Sequence, residues 1–395
     1  MRYKLKLFTF FFFLPSILVG LAFIPYYLLM VRSGENAKPR EIASLLASPD
    51  RHCLYARATL MGASAKDFKP IHYKMYKPDI AIIGSSRSMQ FRDHYFNGRS
   101  YTMGGAIHNI FDFKNAVFHA LDTHKPKAMI LQMDYWWFHP YYRNGIESKK
   151  VPLYKQVKKS LSTIFLPYTW LREGKMSAED YRRVIAGQNN TQECRLGIMA
   201  QMQSKGYAHD GSYFYGQTYT HPSESHGFTN EFENMRDDAY RGAGEIQKID
   251  PSRVEIFKSV IERLNSEGID YAVVFPPFSP SVYTYMQKNL PNYINVMDKV
   301  VDEIRLSQAT VYDFHDPAKI ETVDCEFLDG EHGGQITYAK ILRMMDDSPL
   351  TPYLAVDHID ADIAKYSGRA ISDEELHKYM PDAKEIDFLQ IGCRK

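Results

Sequence analysis

Two short segments, far apart in the chain, carry side chains suited to nucleophilic chemistry. Gly84-Ser85-Ser86-Arg87-Ser88 sets hydroxyls on a glycine-led turn, and Phe327-Leu328-Asp329-Gly330-Glu331-His332-Gly333-Gly334 sets a carboxylate three residues before an imidazole. A serine on a tight strand-to-helix turn is exposed at a sheet edge, and the backbone N–H groups of the helix start can hold an anion beside it. Asp329 and His332 share one side of a turn, so the carboxylate can orient the ring and the ring can accept the Ser86 proton. Each segment also has an ordinary explanation. A Gly-Ser-Ser turn is more often a helix N-cap. Asp-x-x-His also fits a capped turn or a metal pair, with His315 and Asp316 nearby in sequence but no third well-spaced ligand.

Short apolar runs at 79–84, 100–103, 128–133, 271–275 and 310–314 predict strands. Helical spacing at 108–121, 253–264 and 337–345 predicts helices between and after them. This alternation implies an α/β fold, a three-layer sandwich around a central parallel sheet, in which ligands bind at the carboxyl ends of the strands. Ser86 follows the first strand, Gly104 and Gly105 the second, and Asp134-Tyr135-Trp136-Trp137 the third. The stretch 141–250 breaks the alternation and reads as an insertion over the sheet's top edge, with a helical piece at 178–185. Residues 350–395 read as a C-terminal extension, and 32–76 as a stalk. Aromatic faces after the third strand suit stacking against sugar rings. Adjacent Trp136 and Trp137 should point to opposite faces of an extended chain, one buried and one available. His139, His209 and Asp210 are expected as exposed loop residues.

The conjunction of a Gly-x-Ser turn, a Gly pair and a late Asp-x-x-His is more specific than its parts. On these residues the chain resembles the SGNH/GDSL hydrolase superfamily across 77–349, the insertion excepted. More closely it resembles the membrane-anchored branch that includes the alginate O-acetylation proteins and the D-alanine transfer protein of teichoic acid modification. The resemblance implies an SGNH/flavodoxin-like fold with Ser86 as nucleophile, His332 as general base and acid, and Asp329 orienting it. It implies oxyanion donors at the Ser86 amide and at Gly105, with Gly104 as the alternative. The family's third-block Asn is replaced by Asp134, and an ionised carboxylate has no hydrogen to donate. One missing oxyanion donor costs about 10²–10³ in rate. Arg87, where the motif commonly has an apolar residue, is placed to pair with Asp134, and with Trp136 and Trp137 the two complete the expected substrate-binding set.

The chain is uncharged from 7 to 31, with Arg2, Lys4 and Lys6 before and Arg32 after. A helix of that length spans about 30 Å of hydrocarbon, so 1–31 is expected to be an uncleaved membrane anchor with a cytoplasmic N-terminus. The resemblance then implies a single-pass protein of the bacterial inner membrane, its domain in the periplasm or outside. It would be a serine esterase or O-acyltransferase, O-acetyl by analogy, acting on a cell-envelope polysaccharide without a cofactor or metal. A transferase would need a polytopic membrane protein to deliver the acyl group. Two rivals are a non-catalytic glycan-binding or assembly factor and a metal-dependent phosphoesterase. Lys+Arg total 48 against Asp+Glu 47 in 395 residues, so no global positive field exists to hold nucleic acid. Cys53, Cys194, Cys325 and Cys393 form no Cys-x-x-Cys pair. They allow one or two disulfides, or four free thiols.

Overall fold

The computed structural model describes residues 2–48, 52–59, 62–140, 142, 165–187, 194–236 and 248–395. Its strands in chain order are β1 (Leu54–Tyr55), β2 (Ile80–Ile83), β3 (Ser100–Thr102), β4 (Ala128–Gln132), β5 (Arg195–Leu196), β6 (Gly206–Tyr207), β7 (Tyr213–Phe214), β8 (Asp270–Phe275) and β9 (Val311–Asp313). Five of them form a wholly parallel sheet in the order β3-β2-β4-β8-β9. The first strand of this sheet therefore lies between the second and the third. The chain crosses over at β2 and β4, where a doubly wound sheet opens a crevice at its carboxyl edge.

Alternate residues of the strands serve two cores. Ile80, Ile82, Ala128, Ile130, Ala272 and Val274 pack on one face with helices Gln335–Met344 and Val356–Tyr366. Ala81, Ile83, Met129, Leu131, Val273 and Phe275 pack on the other with helices Ile110–Thr123, Pro251–Glu267 and Pro291–Arg305. Burial on both faces explains why these strands read as continuous apolar runs and not as alternating patterns. The expected helix at 108 begins at Ile110, because the Asn109 side chain accepts from the Phe111 and Asp112 amides and caps it there.

Residues 32–76 are not a stalk. They contain helices Pro39–Leu46 and Ala65–Tyr76 and strand β1, which lies in a second sheet of order β5-β1-β6-β7 with strands from the 141–250 stretch. Ile42, Leu46, Tyr55 and Phe68 are buried there. Glu35 is buried too, accepting from the amides of Ala58 (2.7 Å), Thr59 (2.5 Å) and Ile198 (3.0 Å). Strands of two residues and a helix containing Pro70 carry too weak a periodicity to be seen beforehand. Cys53 pairs with Cys194, and Cys325 with Cys393, so both disulfides form.

The uncharged stretch lies within one continuous helix, Arg2–Arg32, whose last turns pack Tyr26, Leu29 and Met30 against Met176, Val184 and Ile198. Among the described residues no helix is long and apolar enough to cross a membrane. Most side chains in the first half of Arg2–Arg32 lie outside those residues.

Candidate active site

The turn after β2 begins at Gly84. A Cβ there would collide with the Gln132 side chain, 2.7 Å from its Cβ, so the close approach of β2 to the end of β4 requires glycine. Ser85 accepts the Arg87 amide at 3.2 Å on its hydroxyl and caps the short 3-10 helix Ser86–Gln90. The ordinary N-cap role and the chemical role thus fall on different serines. Ser85 caps, and Ser86 stands partly exposed as the first residue of the turn.

Ser86 Oγ lies 2.8 Å from His332 Nε2, and His332 Nδ1 lies 2.9 Å from each carboxylate oxygen of Asp329. Residues 246 positions apart are thereby joined in a serine–imidazole–carboxylate relay. The loop is fixed from within. Asp329 Oδ1 also accepts the amides of Glu331 (2.9 Å) and His332 (2.8 Å), and Leu328 N donates to His332 O at 2.8 Å. Glu231 adds a brace from outside, accepting the Gly330 amide at 3.2 Å. Burial alone would raise the Asp329 carboxyl, but the facing His332 and the amides hold it below its ordinary range. Burial alone would lower the His332 imidazole, but the Asp329 carboxylate outweighs it and leaves the ring raised.

The amides around the serine separate into engaged and open. Ser85 N donates to Gln132 Oε1 (2.7 Å), Ser88 N to Ser85 O (3.1 Å), Gly104 N to Thr102 Oγ1 (3.0 Å) and Ala106 N to Met103 O (3.1 Å). Among the described residues the amides of Ser86 and Gly105 donate to no protein acceptor. Between the two glycines, Gly105 is therefore the one with a hydrogen to offer. Its φ of +80° is the left-handed conformation that favours glycine, and a Cβ there would strike the Tyr207 hydroxyl.

Arg87 is buried, and the protein takes up its donors. Nε donates to Glu331 O (2.9 Å), Nη2 to Pro276 O (2.7 Å) and Pro277 O (2.6 Å), and Nη1 to Asp134 Oδ1 (3.3 Å). The guanidinium also lies over the rings of Phe278 (4.7 Å) and Trp136 (5.6 Å). Arg87 thus ties the ends of β2, β4 and β8 to the His332 loop, and it also lines the cavity beside Ser86. Asp134 Oδ1 also accepts from Gln132 Nε2 (2.9 Å), while its buried Oδ2 has no partner. Gln132, which binds both the Ser85 turn and Asp134, was invisible in the sequence because a buried strand-end amide carries no motif.

Trp136 and Trp137 are both buried, at 2% and 0% exposure. The segment Tyr135–Phe138 is a 3-10 turn and not extended chain, so adjacent side chains do not alternate, and the expected exposed tryptophan is absent. Both indoles, with Asp134, Ile107 and His108, line a cavity of about 90 Å³ beside Ser86; Gly105 is not among its lining residues. A larger hollow of about 550 Å³ between Phe228, Phe232, Val323 and Ile391 contains none of the three relay residues. His139, His209 and Asp210 are buried, not exposed. His209 Nε2 lies 2.7 Å from Asp93, and Asp210 accepts from Ser212 N at 2.9 Å. His315 pairs with Asp313 at 2.8 Å, and Asp316 caps a turn by accepting the Ala318 amide. Among the described residues no group of three or more His, Cys, Asp or Glu is placed to hold a metal ion. No protein-family model, curated protein or solved structure matches this chain.

Proposed function

We propose that the chain is an SGNH-like serine esterase or O-acyltransferase working through an acyl-Ser86 intermediate. The observation that carries this reading is the Ser86–His332–Asp329 relay, at 2.8 Å and 2.9 Å. His332 Nε2 takes the Ser86 proton as Oγ attacks the acyl carbonyl carbon, and Asp329 holds Nδ1–H and stabilises the imidazolium. The open amides of Ser86 and Gly105 serve the oxyanion. His332 then gives its proton to the departing alcohol, leaving the acyl group on Ser86. Water or a sugar hydroxyl next surrenders a proton to His332 and attacks the ester, and His332 returns that proton to Ser86.

The cavity beside Ser86 is small, about 90 Å³ against about 550 Å³ for the hollow elsewhere, and acetyl is taken from the resemblance. The remaining assignments rest on the resemblance and the uncharged stretch 7–31: a bacterial inner-membrane anchor, a periplasmic or external domain, a cell-envelope polysaccharide as substrate, and a polytopic acyl-donor partner if the reaction is transfer. Two disulfides fit an oxidising compartment. One observation favours the non-catalytic glycan-binding or assembly role instead: β4 is followed by Asp134, whose ionised side chain supplies no N–H to an oxyanion.

The test is covalent labelling by a fluorophosphonate, wild type beside Ser86→Ala. Labelling confined to the wild type supports the acyl-serine reading. A folded wild-type protein that does not label supports the binding role.

A further inference from the structure

Lys69 is fully buried in the helix Ala65–Tyr76, which precedes β2. Its Nζ donates to three carbonyls, those of Thr102 (2.9 Å), Gly104 (2.5 Å) and Gly211 (2.6 Å). Nζ meets three carbonyls with no carboxylate in contact; burial pushes its pKa well below the ordinary lysine value, opposed by the more distant Asp210. The Tyr207 ring lies beneath Lys69, with Nζ 4.6 Å from the ring centre, and the hydroxyl of that same tyrosine abuts Gly105.

The Gly104 carbonyl and the Gly105 N–H belong to one peptide unit. That unit is planar and trans, so a group that fixes the direction of its C=O also fixes the opposite direction of its N–H. A hydrogen-bond donor on the oxygen further polarises the unit and makes the N–H a stronger donor. We infer that Lys69 is a positioning residue for the oxyanion site, orienting and polarising the Gly104–Gly105 peptide through the carbonyl it holds. Tyr207 and Gly211 complete the seat, so the second sheet and the helix before β2 serve the chemistry of a serine they do not touch. This inference rests on the acyl-serine reading above.

The experiment compares wild type, Lys69→Met and Lys69→Gln in the full chain, with p-nitrophenyl acetate as substrate. Turnover is expressed per serine titrated by the fluorophosphonate, so that misfolded protein is not counted. Lys69→Met should lower kcat per labelled site by about 10²-fold with KM within about twofold, because the amide acts on the transition state and not on bound substrate. Lys69→Gln keeps two N–H donors for the carbonyls and should lose less. It also supplies the measurement if Lys69→Met does not fold. Wild-type kcat per labelled site in a folded variant, whatever its melting temperature, overturns the inference. A wild type that neither labels nor turns over overturns the acyl-serine reading, and this inference with it.

Discussion

Arg87 and Asp134 meet at 3.3 Å with both side chains about 1% exposed, and the contact uses only Oδ1 of the carboxylate. Oδ2 is left without a donor in a residue that lines the cavity beside Ser86. An asparagine in this place would keep its oxygen where Arg87 and Gln132 donate and turn its NH₂ to the open position. Asp134→Asn is therefore expected to remain folded and to gain an oxyanion donor. Its kcat on an acetyl ester should rise, up to about 10²-fold. An equal or lower kcat in the folded variant would show that Oδ2 does not face the oxyanion.

Loss of the other partner should act on stability. Arg87→Met leaves the Asp134 carboxylate buried without its cation and removes the ties to Pro276, Pro277 and Glu331. Breaking one side of a buried pair costs about 3–5 kcal/mol, and urea denaturation should show a loss of that order. A loss below about 1 kcal/mol, the scale of a surface pair, would mean that the guanidinium holds little.

The relay sets a pH dependence with a definite sign. His332 must be neutral to accept the Ser86 proton, and its folded pKa is raised above the ordinary 6.5 by Asp329. Activity should therefore rise with pH, with a midpoint above 6.5. Asp329→Asn removes the charge that raises the ring, so its residual activity should have a lower midpoint. Stability runs the other way. The pair's contribution through His332 is full below the unfolded pKa and lost as pH rises through the folded one. Rate profiles of wild type and Asp329→Asn would expose the error if both midpoints coincide.

Cys325 and Cys393 close a loop with a sequence separation of 68 that contains Asp329 and His332. Replacing both by Ser should lower stability by about 2–4 kcal/mol. A urea midpoint equal to that of the wild type would argue that the bond is absent from the folded protein.

The strands and the two separate segments of the relay were legible because each is local, although Ser86 and His332 lie 246 residues apart. The runs at 79–84 and 128–133 are short, apolar and bounded, and Ser86, Asp329 and His332 carry recognisable side-chain chemistry. What escaped was set by partners distant in the chain. Lys69 is an unremarkable lysine until Thr102, Gly104 and Gly211 surround it. The small sheet depends on two-residue strands that only pairing defines. Trp136 and Trp137 were misjudged because a tight turn replaced the extended chain on which alternation depends.

The central strand β4 finds its neighbour β8 only across the whole 141–250 stretch, with Ala128 opposite Asp270. Pairings at such separations form slowly, since the loop must close before any contact rewards it. Ser86 emerges early in synthesis and His332 late, so the serine stays inert until nearly the whole chain has been made and its sheet assembled. Under the acyl-serine reading, fluorophosphonate reactivity in a refolding sample would then mark the late joining of Ser86 to His332, a built-in timer on the site.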